Sequence, residues 1–83
     1  MSASAFSDYV QSVWEVYSEM RGSDLPLMSN ADYHVIKGWF DRGYPLRYVL
    51  MGMRLTRGKA RGLSYYEPSV REEATRAQRA MNL

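Results

Sequence analysis

The chain has 83 residues, 11 basic and nine acidic side chains, a formal net charge of +2 and no cysteine. That length suits one domain, and it buries roughly 60–65% of the surface its unfolded form exposes. Without cysteine, disulfides and thiolate metal sites are excluded, and a reducing, cytoplasmic setting is the expectation. The longest apolar stretches fall far short of the roughly 20 residues that span a bilayer, so no membrane partner is expected. Met1 to Phe6 lack a basic segment followed by an apolar one, so no signal peptide is expected there. Aromatic residues make up 13% of the chain, too many for a disordered tail.

The charge is divided along the chain. Residues 1–36 hold five acids (Asp8, Glu15, Glu19, Asp24, Asp32) against Arg21 alone, a net of −4. Residues 37–83 hold ten bases against Asp41, Glu67, Glu72 and Glu73, a net of +6. Nine of the eleven bases are arginine, whose planar fork suits phosphate and carboxylate. Two readings stand side by side: a solvated surface whose opposite charges help helices dock, or a face that binds anions.

In chain order, Phe6, Tyr9, Val10, Val13, Trp14, Tyr17 and Met20 recur at spacings of three and four, which predicts an amphipathic helix over residues 4–21. Gly22 stands where it would stop. Pro26 keeps the following connector out of a helix. A second helix is expected over 30–42. Ser29 caps it, Asp32 nearly completes a capping box, Tyr33, Ile36, Trp39 and Phe40 form its buried face, and Gly43 closes it in the left-handed conformation. A third is expected over 45–57, with Pro45 in its first turn and two apolar stripes: Leu46, Val49, Leu50 and Met53, then Tyr48, Met51 and Leu55. Gly52 costs this helix about 1 kcal/mol unless a neighbouring helix approaches closely. Residues 56–64 read as a basic loop, and a fourth helix is expected over 68–80, with a thin stripe of Val70, Ala74, Ala77 and Met81. The fold expected is an all-α, compact single-domain bundle of about four helices spanning residues 1–83.

Chemistry-bearing residues are sparse. His34 is the only histidine, and no second histidine or cysteine completes a typical metal site. Glu72 and Glu73 are helix neighbours that point apart, and the helix dipole accounts for them. The RGKARG segment has the wrong order for a phosphate-binding loop of the Walker type. No catalytic residue, metal or cofactor is therefore expected, and a binding role is.

The strongest functional candidate is the basic run Arg54, Arg57, Lys59 and Arg61, with Arg47 joining if it shares their side of the third helix. Such a run can follow a phosphate backbone. Tyr65 and Tyr66 come next, either stacking on bases or anchoring the core. The stripe Tyr48, Met51 and Leu55 either packs on the last helix or forms a protein interface.

Leu27, Ser29, Ile36, Trp39, Gly43, Leu46, Val49, Leu50, Met53 and Tyr66, in an arrangement running from about Val13 to Ala74, resemble the helical C-terminal module of DnaD-type primosomal and phage replication proteins. That resemblance implies a four-helix module that contacts DNA, single- or double-stranded, or a replication protein. The family carries an aromatic residue in its last helix where this chain has Ala74. The alternative expectation is a protein–protein adaptor or inhibitor, phage-encoded or a subunit of a larger complex, that binds another protein through its acidic or apolar helix face. A homo-oligomer is compatible with either.

Overall fold

A computed structural model of the protein describes residues 5–22, 28–56 and 62–81. It holds four α-helices: α1 (Ala5–Arg21), α2 (Asn30–Asp41), α3 (Leu46–Leu55) and α4 (Glu67–Met81), with a 3-10 turn at Leu63–Tyr66 leading into α4. There is no strand among the described residues. The expected all-α bundle is what the chain adopts, with three boundaries shifted for identifiable reasons.

Pro45 does not enter the first turn of α3. It caps it, in an extended conformation (φ −62°, ψ 137°), and its carbonyl accepts from the Tyr48 and Val49 amides. At the other end, α3 stops at Leu55 rather than residue 57. Thr56 turns out at ψ 130° while its hydroxyl donates to the Gly52 carbonyl at 3.0 Å, which satisfies one acceptor orphaned by the helix end. The segment Leu63–Tyr66, expected to be loop at least as far as Ser64, is already coiled as a 3-10 turn.

The start and stop of α2 follow the sequence closely. The Ser29 hydroxyl accepts from the Asp32 amide at 3.1 Å. Gly43 (φ +75°) then reverses the chain, its amide reaching the Phe40 carbonyl and the Tyr44 amide the Trp39 carbonyl, the paired bonds of a Schellman ending.

The capping box is incomplete in a useful way. An aspartate is one methylene shorter than glutamate. The Asp32 carboxylate accepts instead from the Leu63 amide at 3.0 Å, 31 residues along the chain. It thus caps the 3-10 turn from another helix. Asp32→Ala is expected to lower the unfolding free energy by about 1–3 kcal/mol, and Asp32→Asn, which keeps the acceptor, by much less. Urea denaturation followed by circular dichroism measures both.

The core is built from Tyr9, Val13, Val16 and Tyr17 of α1, Ile36 and Trp39 of α2, Tyr44, Val49 and Met53 of and before α3, Leu63 and Tyr66 of the 3-10 turn, and Val70 and Ala74 of α4. Five stripe residues drop out of it, Met51 and Leu55 of α3 among them. Met20 and Met81 are exposed because their helices run past the core, and Tyr33 is exposed with its ring edge-on to Phe6. Phe6, Phe40, Tyr9, Tyr17 and Tyr66 make further edge-to-face contacts, with centroids 5.0–6.0 Å apart.

Tyr9 carries a polar tie through this core: its buried hydroxyl donates to the Tyr44 carbonyl at 2.8 Å. Burial, with Tyr44 adding to it, pushes the Tyr9 hydroxyl well above its ordinary pKa. The folded state therefore holds this proton more tightly than the unfolded chain does. That contribution is full below the unfolded value of about 10 and is lost as pH rises above it. Tyr9→Phe is expected to cost about 1–2 kcal/mol at neutral pH and to make unfolding less steep above about pH 10, read by an alkaline titration of the dichroism signal.

The closest helix crossing is α3 on α4. A β-carbon at Gly52 would lie 2.6 Å from Val70 Cα, 2.8 Å from Val70 N and 2.9 Å from the Ser69 carbonyl oxygen. The glycine in mid-helix is thus explained by the approach of a neighbouring backbone. The thin stripe of α4 fits the same crossing, since Ala74 and Ala77 are buried and take little room.

Candidate nucleic-acid interface

The α3 helix sorts its residues cleanly. Val49, Gly52 and Met53 face the core. Arg47, Met51, Arg54 and Leu55 are exposed. The two arginines are seven residues apart, about 10.5 Å along one side of the helix. Arg47 therefore does share the face of Arg54. Its guanidinium lies 5.5 Å from the Tyr48 ring centroid, a cation–π contact that leaves its donors available. Neither arginine takes part in the ion pairs found among the described residues, which are Lys37–Asp41, Arg71–Glu67 and Arg76–Glu73.

The basic run continues beyond Arg54, but Arg57, Lys59 and Arg61 lie outside the described residues. Both ends of that segment are anchored. Thr56 is tied to Gly52 at its start, and at its end the Leu63 side chain is fully buried while its amide is held by Asp32.

The two tyrosines that follow part company. Tyr66 is buried, 2% exposed, with its ring edge-on to Tyr17. Burial raises its hydroxyl pKa, with Tyr17 adding to the rise. It is a core anchor and offers no face to a base. Tyr65 is 45% exposed and touches Tyr66 edge-on. It remains the stacking candidate of the pair.

The apolar stripe splits in the same way. Tyr48 is half-buried against the core, whereas Met51 (39%) and Leu55 (60%) are exposed. The close approach of α3 to α4 is at Gly52.

The chain matches no family model, no curated protein and no solved structure.

One basic surface escaped the sequence reading. Arg71, Arg76 and Arg79 line an open depression of about 420 Å³ with Pro68, Glu72 and Thr75, all on α4. Two of the three are engaged: Arg71 donates to Glu67 at 3.0 and 3.2 Å, and Arg76 pairs with the buried Glu73 at 3.3 Å. The signal available was their recurrence at residues 71, 76 and 79, which a helical projection places on one broad side. His34 is exposed, its ring edge-on to Tyr33, away from these arginines in sequence. Among the described residues, no group of three or more His, Asp or Glu side chains is placed to hold a metal ion. No helix among them is long and apolar enough to cross a membrane.

Proposed function

We propose that this protein is a non-enzymatic module that binds DNA or a DNA-replication assembly through the exposed end of α3 and the basic segment that follows it. The observation that carries the reading is the pair Arg47 and Arg54, exposed, outside every ion pair among the described residues, and leading into Arg57, Lys59 and Arg61. Arginines on a rigid helix hold their forks at fixed spacing, and Arg57, Lys59 and Arg61 extend the run of cations along the chain. Tyr65 stands exposed just past the segment and supplies a stacking surface for an unpaired base. The resemblance to DnaD-type modules points the same way, toward a primosomal or phage replication setting in the cytoplasm.

The test is fluorescence anisotropy of labelled single- and double-stranded oligonucleotides. With about five phosphates neutralised, affinity is expected to fall on the order of a hundredfold between about 50 and 200 mM salt. Replacing Arg54, Arg57, Lys59 and Arg61 with alanine should abolish binding. Tyr65→Ala should weaken binding to single strands by about 1–3 kcal/mol and leave duplex binding nearly unchanged. Affinity that barely responds to salt contradicts the proposal.

The exposure of Met51 and Leu55 favours a second reading, a protein–protein adaptor that uses the α3 face. Leu55→Ala should then weaken capture of a protein partner with no loss of stability, because 60% of Leu55 already meets water.

A further inference from the structure

We infer that the outward face of α3 docks on the outward face of α1 in a second copy of this chain. The α3 face combines two cations and two apolar side chains. Arg47, Met51, Arg54 and Leu55 fall within about 100° of the helix circumference, and all four are exposed. On α1, Asp8, Glu15 and Glu19 are also all exposed and fall within a narrower arc of about 40°. None of these three acids enters the ion pairs found among the described residues, and neither do Arg47 and Arg54.

The spacings match. Asp8 and Glu15 are seven residues apart, as are Arg47 and Arg54, so each pair spans about 10.5 Å along its helix. One α1 face laid along one α3 face can meet both arginines with carboxylates at once. Gln11 donates to Glu15 at 3.1 Å and so steadies one of those carboxylates on its face. Apolar surface accompanies the charges on α3: Met51 is 39% and Leu55 60% exposed, both within the arc that holds Arg47 and Arg54. Closing the contact removes both from water.

The two faces belong to different helices, so the contact is heterologous. Each copy keeps one face of each kind free, and association proceeds to a ring or a growing series rather than stopping at a symmetric dimer. Exposed ion pairs contribute little individually and are screened by salt, so the association is weak and salt-sensitive. Arg47 and Arg54 are also phosphate-contact candidates, but the test below contains no nucleic acid and stands apart from that reading.

Sedimentation equilibrium of the full chain decides it. From about ten micromolar to about one millimolar at low salt, the average mass is expected to rise above the 9.6 kDa of one chain and to fall back toward it at about 0.5 M salt. Arg47→Glu/Arg54→Glu makes both faces acidic, and Asp8→Lys/Glu15→Lys makes both basic. Each double variant alone is expected to stay monomeric, and an equimolar mixture of the two is expected to associate again. All four positions are exposed, and recovery in the mixture also shows that both variants are folded. The milder Arg47→Ala/Arg54→Ala should weaken association of the otherwise unchanged chain. A constant monomer mass for the wild-type chain, undiminished association of either charge-reversed variant alone, or no recovery in the mixture by variants whose dichroism is native would overturn the inference.

Discussion

Gly52→Ala is expected to destabilise the protein by about 3 kcal/mol and to lower Tm by on the order of 15 °C. The sign is the informative part. At an exposed mid-helix site the same change would stabilise by about 1 kcal/mol, because alanine is the better helix former. Here the added methyl meets backbone atoms of Val70 and Ser69 at 2.6–2.9 Å. Backbone cannot rotate aside as a side chain does. The α3–α4 pair has to spread, which opens the packing around Val49, Met53, Val70 and Ala74, all fully buried. Stability of a domain this size is on the order of 4–12 kcal/mol, so the loss is a large share of the total. Gly43→Ala is the control. Its φ of +75° strains an alanine, but the nearest atom to the added methyl is 3.8 Å away, so only about 1 kcal/mol is expected. Thermal denaturation of the two variants side by side reads the difference, and a Tm for Gly52→Ala at or above the wild-type value would sink the close-crossing account.

Glu67→Ala is expected to cost about 2–4 kcal/mol, a large effect for a residue only partly removed from solvent. Trp39 is completely buried, and its indole N–H donates to Glu67 Oε1 at 2.6 Å. The other carboxylate oxygen accepts from Arg71 at 3.0 and 3.2 Å. Truncation leaves the indole donor without an acceptor and removes an acid from the N-terminal end of α4. Glu67→Gln retains an acceptor and should fall between. Trp39→Phe removes the donor instead. The double variant Trp39→Phe/Glu67→Ala should be less destabilised than the sum of its parts by about 1–2 kcal/mol, measured as a double-mutant cycle in urea. Strict additivity would show that the bond contributes nothing.

These two ties mark the boundary of what the amino-acid pattern reveals. The α2 cap at Ser29, the glycine reversal at Gly43 and the apolar periods of α1 and α3 are local, and reading neighbours three or four apart finds them. Asp32 to Leu63 and Trp39 to Glu67 join residues 31 and 28 apart in the chain. No local spacing encodes them, and a lone acid near a helix start reads first as a capping or dipole residue. Gly52 lies between these cases. Its presence in a helix signals a close neighbour, but only the fold identifies Val70 and Ser69 as that neighbour. Met20 and Met81 keep the apolar period past the point where core remains to receive them.

The candidate site divides similarly. Arg54 is legible as part of the basic run, whereas Arg47 joins it only because Val49, Gly52 and Met53 take the opposite side of α3 to the core. Tyr65 and Tyr66 were not separable, since adjacent residues in a tight turn point different ways and either could be the anchor. Tyr66 takes the core, against Tyr17, and Tyr65 takes the surface. Arg76 and Arg79 suit the C-terminal half of α4 as complements to the helix dipole, Arg71 lies nearer its start, and only their shared depression brings the three forward.

The central proposal is that the α3 end and the segment after it form the binding face. Backbone amide shifts of the isotope-labelled protein, followed by NMR while a short oligonucleotide is added at low and then moderate salt, test it most directly. The account predicts shifts concentrated from Arg47 to Tyr65, little change at the outward residues of α2, and reversal as salt is raised. Shifts confined to α1 or α2, or none at all at low salt, would contradict it.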